Sequence, residues 1–597
     1  MSKATLSNGE LTELVTGLHK LARNLWWTWN QEAQEVFQEL SPRGWQNLYH
    51  NAVAVLHEVS DYELRVRLLD HEFARRVRTV LQKFDAYLTD KTTWASQNAA
   101  PLASKPVAYF SAEFGFHEAL PIAAGGLGVL AGDHMKSASD LGLGLVGISL
   151  FYREGYFQQL INQDNWQTEF YAQLHPKNLP MEQVLDAKGE PVVGTVQIAT
   201  GTVYFQAWKV NVGRCPVYLL DTNRPENEQH YRDLTLRVYG GDSTTRIMQE
   251  IVLGVGGVRL LRLLGHEPSV FHMNEGHAAF LTLELMREKM ASGKTMEAAM
   301  EATRKECIFT THTPVEAGHD RFSPDLINYA AHKFYTRLKL THEEFMALGR
   351  VKPEDAHEPF CMTVLALKLS RAANGVSELH GEVSREMWHC LFPKGEVKDV
   401  PIGHITNGIH TLGWMKGSMR RNWRRKFSKV ESTAPVTTEA TGFWTRKPSV
   451  DWETEVNNPD FWAHMADPNF VSDEELWSWR YRLRRELIEF ARRKLLIQGQ
   501  RFSQRDYIEF DHLLNPDALT IGFARRFATY KRAPLIFEQF ENIVSLIHDK
   551  SRPVQFVFAG KAHPRDDEGK KYIQKIIHLS RFSELKGSLV FVENYDI

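Results

Sequence analysis

Cysteine is scarce in this sequence: Cys215, Cys307, Cys361 and Cys390 are the only four in 597 residues, and no two form a CxxC pair. That scatter argues against a disulfide framework or a zinc ribbon and for a reducing compartment. Net charge is also missing, since 71 Lys and Arg against 73 Asp and Glu leave −2. No global field recruits nucleic acid or a membrane surface, so any anion site has to be local. No apolar run approaches the ~20 residues of a membrane span. The polar start MSKATLSNGELTEL lacks the apolar stretch of a signal peptide. The expectation is a cytoplasmic protein that meets neither membrane nor nucleic acid. A GxGxxG spacing is absent, which disfavours a nicotinamide or flavin site. His272 and His277 are five apart and His312 and His319 seven apart, unlike HExxH, so no metal site is expected. Internal repeats and low-complexity tracts are absent as well.

What is present is a long chain of ordinary globular composition, 43% hydrophobic and 24% charged, with room for roughly three or four domains. Residues 1–100 repeat apolar positions at three and four and read as a helical domain. Trp26, Trp27 and Trp29 lie within it; tryptophan can stack on sugars, but three on one short helix read as core. From residue 101 to about 430, short apolar runs alternate with amphipathic helices, the signature of an α/β domain with a mainly parallel sheet. Residues 431–515 combine a loop-like part, STAPVTTEATGFWTRKPSVDW, with a long helix opening in an acidic first turn. A second α/β pattern occupies 516–597: ALTIGFA as strand, a helix to about His548, PVQFVFAG as strand, then a helix to SLVFVENYDI. With only about 80 residues it is smaller than a doubly wound sheet requires.

The most telling stretch runs from Ser111 to Gly144. An apolar run, Val107 to Ser111, leads through Gly125, Gly126 and Gly128 into a helix and a second apolar run, Leu145 to Tyr152. Glycine there lets a backbone approach a ligand closely, and a helix start offers unpaired N–H groups to an anion. Glu113, just past the first strand, is either a catalytic carboxylate or an acid that orders the loop. No second carboxylate of matched spacing supports a two-carboxylate glycosidase. The segment RRFATYKR (525–532) follows the strand ALTIGFA. Arg526 and Lys531 are five apart, roughly 140° around an ideal helix, so a strand-end loop rather than a pure helix would aim both at one anion. Three further strand-end loops, Asn274-Glu275-Gly276-His277, His312-Thr313-Pro314 and Asn374-Gly375, carry directional hydrogen-bonding groups suited to a polyol.

Taken in order, SAEFG (111–115), GGLG (125–128), NEGH (274–277), THTP (311–314), NGV (374–376), TNGI (406–409), RRFATYKR (525–532) and ENYDI (593–597) resemble the α-glucan (glycogen, maltodextrin) phosphorylases. The NLWWTWN segment and the helical first hundred residues are similar to the shorter bacterial and archaeal subgroup. The resemblance spans essentially the whole chain. It implies an α/β protein of GT-B type: a helical N-terminal domain and two Rossmann-like domains, the second incomplete here, with the site in the cleft. It implies retaining phosphorolysis of α-1,4-glucan to glucose 1-phosphate, with pyridoxal phosphate as cofactor and its phosphate as proton shuttle. Partners are then the glucan and inorganic phosphate or glucose 1-phosphate, and a homo-oligomer is compatible with it.

Residue by residue, the resemblance places Arg526 and Lys531 on the substrate phosphate. Arg525 stands where the family usually has a lysine on the cofactor phosphate. Gly125, Gly126 and Leu127 fall on the loop whose N–H groups face that phosphate, and Glu113 matches an acidic residue near it. His312 and Asn374 match glucose-hydroxyl contacts, Asn274 accompanies them, Tyr530 lies on the sugar side and Tyr595 beside the cofactor. Two phosphates side by side repel unless cations and N–H dipoles surround them, and these residue types supply such a cage.

One family feature is missing. The lysine that attaches pyridoxal phosphate lies a few dozen residues past ENY in a Gly/Ser-rich segment, and no such segment follows Tyr595 here. The chain therefore reads as a C-terminally truncated phosphorylase, expected to be inactive as written. Two other readings stay open: a nucleotide-sugar glucan synthase of the same architecture, and a non-catalytic short form that binds glucan.

Overall fold

The computed structural model describes residues 6–597 other than 124, 239, 434–452, 454–455, 457–458 and 502–512. The loop expected within STAPVTTEATGFWTRKPSVDW lies, from residue 434 on, outside the described residues. The protein is a large mixed α/β chain with a helical N-terminal region. It divides into two units: the first holds the chain up to Tyr156, Gln173–Gly413 and Ile597, and the second Phe157–Ala172 and Trp414–Asp596. Residues 157–172, which the hydropathy pattern assigns to the first α/β segment, thus cluster with the second unit. Among the described residues no helix is long and apolar enough to cross a membrane.

The first unit opens with helices whose ends are written into the sequence. Ser7 and Glu10 form a capping box on Asn8–Ala22, and Asp70 caps His71–Thr89. Between them Trp26, Trp27 and Trp29 sit on a 3-10 turn, 5%, 0% and 3% exposed, so they are core and not a sugar platform. Trp26 packs on Phe84 at 5.3 Å and Trp27 on Trp45 at 5.8 Å. The Asn24 amide exchanges two 2.9 Å bonds with the backbone of Gly213, pinning this turn to a sheet hairpin.

That sheet has ten strands. We number β1 (Val107–Ser111), β2 (Leu145–Leu150), β3 (Gly194–Ile198), β4 (Gly201–Val212), β5 (Cys215–Asp221), β6 (Val270–Asn274), β7 (Cys307–Thr310), β8 (Ala372–Gly375) and β9 (Ile402–His404). The spatial order is β9-β8-β7-β6-β1-β2-β5-β4, then Glu182–Gln183, with β3 also on β4. The seven strands from β9 to β5 run parallel, as the alternation of apolar runs and helices requires. The rest is antiparallel, which the simple alternation does not reveal. GTVQIATGTVYFQAWKV folds as a hairpin through Ala199, at φ 50°, and β4 then pairs antiparallel with β5. Helix α1 (Gly126–Leu141) follows β1, and α2 (Ser243–Ile251) precedes a buried π-helical turn, Val252–Gly256.

The second unit contains the long helix α3 (Asp473–Gln500), capped by a Ser472–Glu475 box. Its parallel sheet joins β10 (Leu519–Ala524), β11 (Val554–Ala559) and β12 (Leu589–Val592) in that order. Edge strand β10 leaves Leu519 59% and Ile521 40% exposed. The helix expected to run from the RRFATYKR loop to His548 starts late. Arg532 adopts a left-handed conformation at φ 55°, Pro534 follows, and two 3-10 segments precede the α-helix Phe540–His548.

The hairpin formed by Gln158–Ile161 and Gln167–Phe170 is held in this unit by glutamines acting as surrogate backbone. Gln159 and Asn594 exchange bonds of 3.0 and 2.9 Å, and the Gln167 amide pairs both N–H and C=O of Ala562 at 2.9 Å. Lys570 and Glu169 close the contact at 2.8 Å. No periodicity in the sequence announces such long-range amide pairing.

Candidate functional site

The carboxyl edge of the first sheet is built from one register row. Ser111 pairs with Asn274, Asn274 with Thr310, Thr310 with Asn374 and Asn374 with Gly403. Each is at or next to the end of its strand, where parallel sheets present ligand-binding groups. Hydrogen bonds run along the row. Ser111 Oγ accepts from Asn274 Nδ2 at 3.2 Å and donates to the Glu113 carbonyl at 2.7 Å. The Thr310 hydroxyl donates to Asn374 Oδ1 at 3.0 Å, so it accepts from His272 Nε2 at 2.8 Å, which makes Nε2 a protonated nitrogen of that ring. Burial pushes His272 down to about 3, and His134 and His312 add to the effect.

The NEGH and THTP loops lock together on this edge. His312 Nε2 lies 2.6 Å from Asn274 Oδ1. The Glu275 carboxylate accepts from the His312 N–H at 2.5 Å and from the Thr313 hydroxyl at 2.9 Å. Glu275 holds φ at 73°, a rare conformation for a residue with a side chain and one that tends to persist where the surroundings over-determine it. Burial alone would raise its carboxyl; the facing His312 and His277, with the N–H and O–H donors, hold it below the usual range. Burial lowers His312 despite the neighbouring Glu275.

Behind these loops lies a network that motif reading missed. Arg246, on α2, bonds Glu250 at 3.0 Å and Asp320 at 3.1 Å, and His277 is 3.4 Å from Asp320. Burial raises Glu250 well above its ordinary value, with Asp320 adding to it and Arg246 opposing it. The available signal was a charged Glu250 inside the apolar run IMQEIVLGV. Among the described residues, no group of three or more His, Cys, Asp or Glu is arranged to hold a metal ion.

The glycine loop meets the same edge through Ser111 and Glu113. Glu113 is 2% exposed and accepts from the Gly125 N–H at 3.2 Å, so its carboxylate orders the loop. No side chain caps α1, which leaves the first turn at Gly126, Leu127 and Gly128 without the usual capping acceptor. Gly126 and Gly128 differ in what they tolerate. A Cβ on Gly126 would meet nothing within 4 Å, whereas one on Gly128 would lie 2.7 Å from Ala123 Cβ and 2.8 Å from Glu113 Oε2. Gly126→Ala should therefore leave thermal stability unchanged or slightly raised, and Gly128→Ala should cost about 1–3 kcal/mol. Urea denaturation of the two variants checks this, and equal losses would contradict the geometry.

The remaining predicted residues belong to the second unit. Arg525 and Arg526 leave the end of β10 exposed, and Tyr595 follows β12, 41% exposed, so all three occupy the carboxyl edge of that sheet. Tyr530 is 61% exposed, with Lys531 Nζ 4.7 Å from its ring centre. Two buried lysines nearby in sequence are already engaged. Lys561, lowered by burial to about 8, donates to the Phe157 carbonyl at 2.8 Å, and Lys570 pairs with Glu169.

A parallel-sheet edge of amides, imidazoles and a strained glutamate, with an uncapped glycine-loop helix beside it, offers groups suited to sugar hydroxyls and to an anion. Residues 11–120 match the family described as Protein of unknown function (DUF3417). Over 589 residues the chain is 37% identical to a maltodextrin phosphorylase of Thermococcus litoralis, covering 98% of this chain and 66% of that protein. It is 37% identical over 608 residues to a glycogen phosphorylase of Mycobacterium tuberculosis, covering 98% and 67%. Against a glycogen phosphorylase of Aquifex aeolicus it is 34% identical over 589 residues, covering 98% and 80%. The chain belongs to the glycogen/maltodextrin phosphorylase family. It spans about two thirds of the length of the first two of these relatives.

Proposed function

We propose that this protein serves retaining phosphorolysis of α-1,4-glucan to glucose 1-phosphate, on a GT-B framework of two Rossmann-like domains. The observation that carries the reading is the row Ser111–Asn274–Thr310–Asn374 with His312 locked against it. Sugar hydroxyls both donate and accept, and a row of fixed amide, imidazole and hydroxyl groups matches them with little reorganisation. In this reading Asn274, His312 and Asn374 hold the glucosyl unit, with Tyr530 on the sugar side. The N–H groups of Gly126 and Leu127, with Arg526 and Lys531, hold the substrate phosphate. Glu113 fixes the loop that presents those N–H groups.

Pyridoxal phosphate fits the donor set of the second unit, where the exposed Arg525 and Tyr595 follow the carboxyl ends of strands of one parallel sheet. Gly125, Arg525 and Tyr595 are the residues that would hold it, and when bound it supplies a phosphate able to pass a proton to the substrate phosphate. The buried Lys561 and Lys570 are committed to the Phe157 carbonyl and to Glu169. Residues 1–597 incubated with maltodextrin, phosphate and pyridoxal phosphate should release no glucose 1-phosphate and retain no cofactor mass after borohydride. Release of glucose 1-phosphate would overturn that part of the reading. Joining residue 597 to the final third of the Thermococcus litoralis enzyme should yield a chimera that makes glucose 1-phosphate. In that chimera Arg526→Ala should raise the phosphate requirement while glucan binding stays. A folded chimera that turns over ADP-glucose instead would refute phosphorolysis.

A further inference from the structure

A pocket lies within the first unit at the carboxyl ends of β2 and β5. Its volume is about 220 Å³, and its walls include Phe151, Arg153, His175, Gln206, Trp208 and Asp221. Gln206 and Trp208 are two apart on β4 and so share a face; Asp221, at the end of β5, is the register partner of Gln206. Asp221 Oδ2 accepts from Trp208 Nε1 and from Gln206 Nε2, both at 3.0 Å. Its Oδ1 accepts from the Asn223 N–H at 2.9 Å and from the Thr235 hydroxyl at 3.3 Å. The buried carboxylate is thus fully occupied with holding an indole and an amide in place. With its N–H taken, the half-buried Trp208 has only its ring to offer a ligand, and Phe151 backs it at 6.0 Å.

Arg153 supplies the polar complement. One terminal nitrogen donates to the Arg232 carbonyl and to Asp233 Oδ1, both at 3.1 Å, which fixes the guanidinium in the pocket wall. The exposed Gln173 and His175 add neutral hydrogen-bonding groups at the rim. The Arg153 guanidinium is balanced by Asp233, so the pocket has no excess positive charge to prefer an anion. Its volume is below the ~300–1,000 Å³ of sites for drug-sized molecules, too small for a nucleotide.

We propose that this pocket binds one neutral sugar ring, its C–H face on Trp208 and a ring or hydroxyl oxygen on the Arg153 guanidinium. The ligand class follows from the pocket; glucose as the particular sugar rests on the proposed function. The test is calorimetric titration of the full 597-residue chain with maltotriose, with glucose and galactose as further probes. In a His312→Ala background, which weakens the register-row site, saturable binding of one sugar per chain should remain. Adding Arg153→Met should weaken it by about tenfold or more, the worth of one hydrogen bond to a charged group. If Arg153→Met fails to fold, Gln173→Ala with His175→Ala, both on exposed residues, should still weaken binding several-fold. Residual binding indifferent to these changes, or none in the His312→Ala chain, would overturn the proposal. Binding that ignores His312→Ala but vanishes with Arg153→Met would leave this pocket standing and refute the register-row reading instead. Preference for galactose would keep a sugar site while removing glucose as its ligand.

Discussion

Glu275→Ala is expected to destabilise the first unit by at least about 3 kcal/mol and to abolish glucan binding at the register row. The carboxylate is 5% exposed and accepts from the His312 N–H, the Thr313 hydroxyl and the Gly276 N–H, the last at 3.2 Å. Truncation leaves these donors buried and unpaired, each at a cost of ~1–3 kcal/mol. It also frees the backbone that sets His312 2.6 Å from Asn274. Glu275→Gln keeps an acceptor oxygen and should lose much less. Urea denaturation and maltoheptaose titration of the two variants check both parts. Equal stability of the alanine and glutamine forms would refute the lock.

Acidification is the second large effect. His272 and His117 are both held near 3, chiefly by burial. His117 sits 4.9 Å from the Trp27 ring, and its Nδ1 accepts from the Ala119 N–H at 3.1 Å. In the unfolded chain each would titrate near 6.5. Between that value and ~3 the unfolded state binds a proton that the native state refuses, so stability is full above pH 6.5 and declines below it. The slope is ~1.4 kcal/mol per pH unit for each histidine, so the pair costs about 4 kcal/mol between pH 6.5 and 5. Denaturant midpoints at pH 7 and pH 5 measure this. His272→Gln, which keeps a polar group beside Thr310, should remove about half of the loss. Midpoints that coincide at the two pH values would contradict the neutral buried imidazoles.

Both predictions rest on features of unequal legibility. Strand ends, the glycine turn and the polar NEGH, THTP and NGV loops could be read directly, because short apolar runs and punctuating glycines are local signals. The tryptophans of NLWWTWN could be assigned to the core for the same reason. The alignment of Ser111, Asn274, Thr310 and Asn374 in one row could not, since register is set by sheet pairing across 263 residues and not by local pattern. The Arg246–Glu250–Asp320 network was hidden because its members come from a helix and a loop 74 residues apart in sequence. Nor could the hairpin at 157–172 be assigned to the second unit, since glutamine side chains replace the apolar pattern that would betray packing. The antiparallel flank of the sheet escaped because a turn through Ala199 lacks the Asn-Gly or Asp-Gly pair that marks a tight hairpin. Glu113 is the case where structure narrowed an open choice: its bond to Gly125 makes it the residue that orders the loop.

The central claim is that the register row and His312 recognise α-glucan. Titration of maltoheptaose into residues 1–597, beside His312→Ala and Asn374→Ala, tests it most directly. The account predicts saturable binding by the parent chain and a loss of about tenfold or more in each variant, with unfolding midpoints preserved for Asn374→Ala. No binding by the parent chain, or equal affinity in all three, would contradict it.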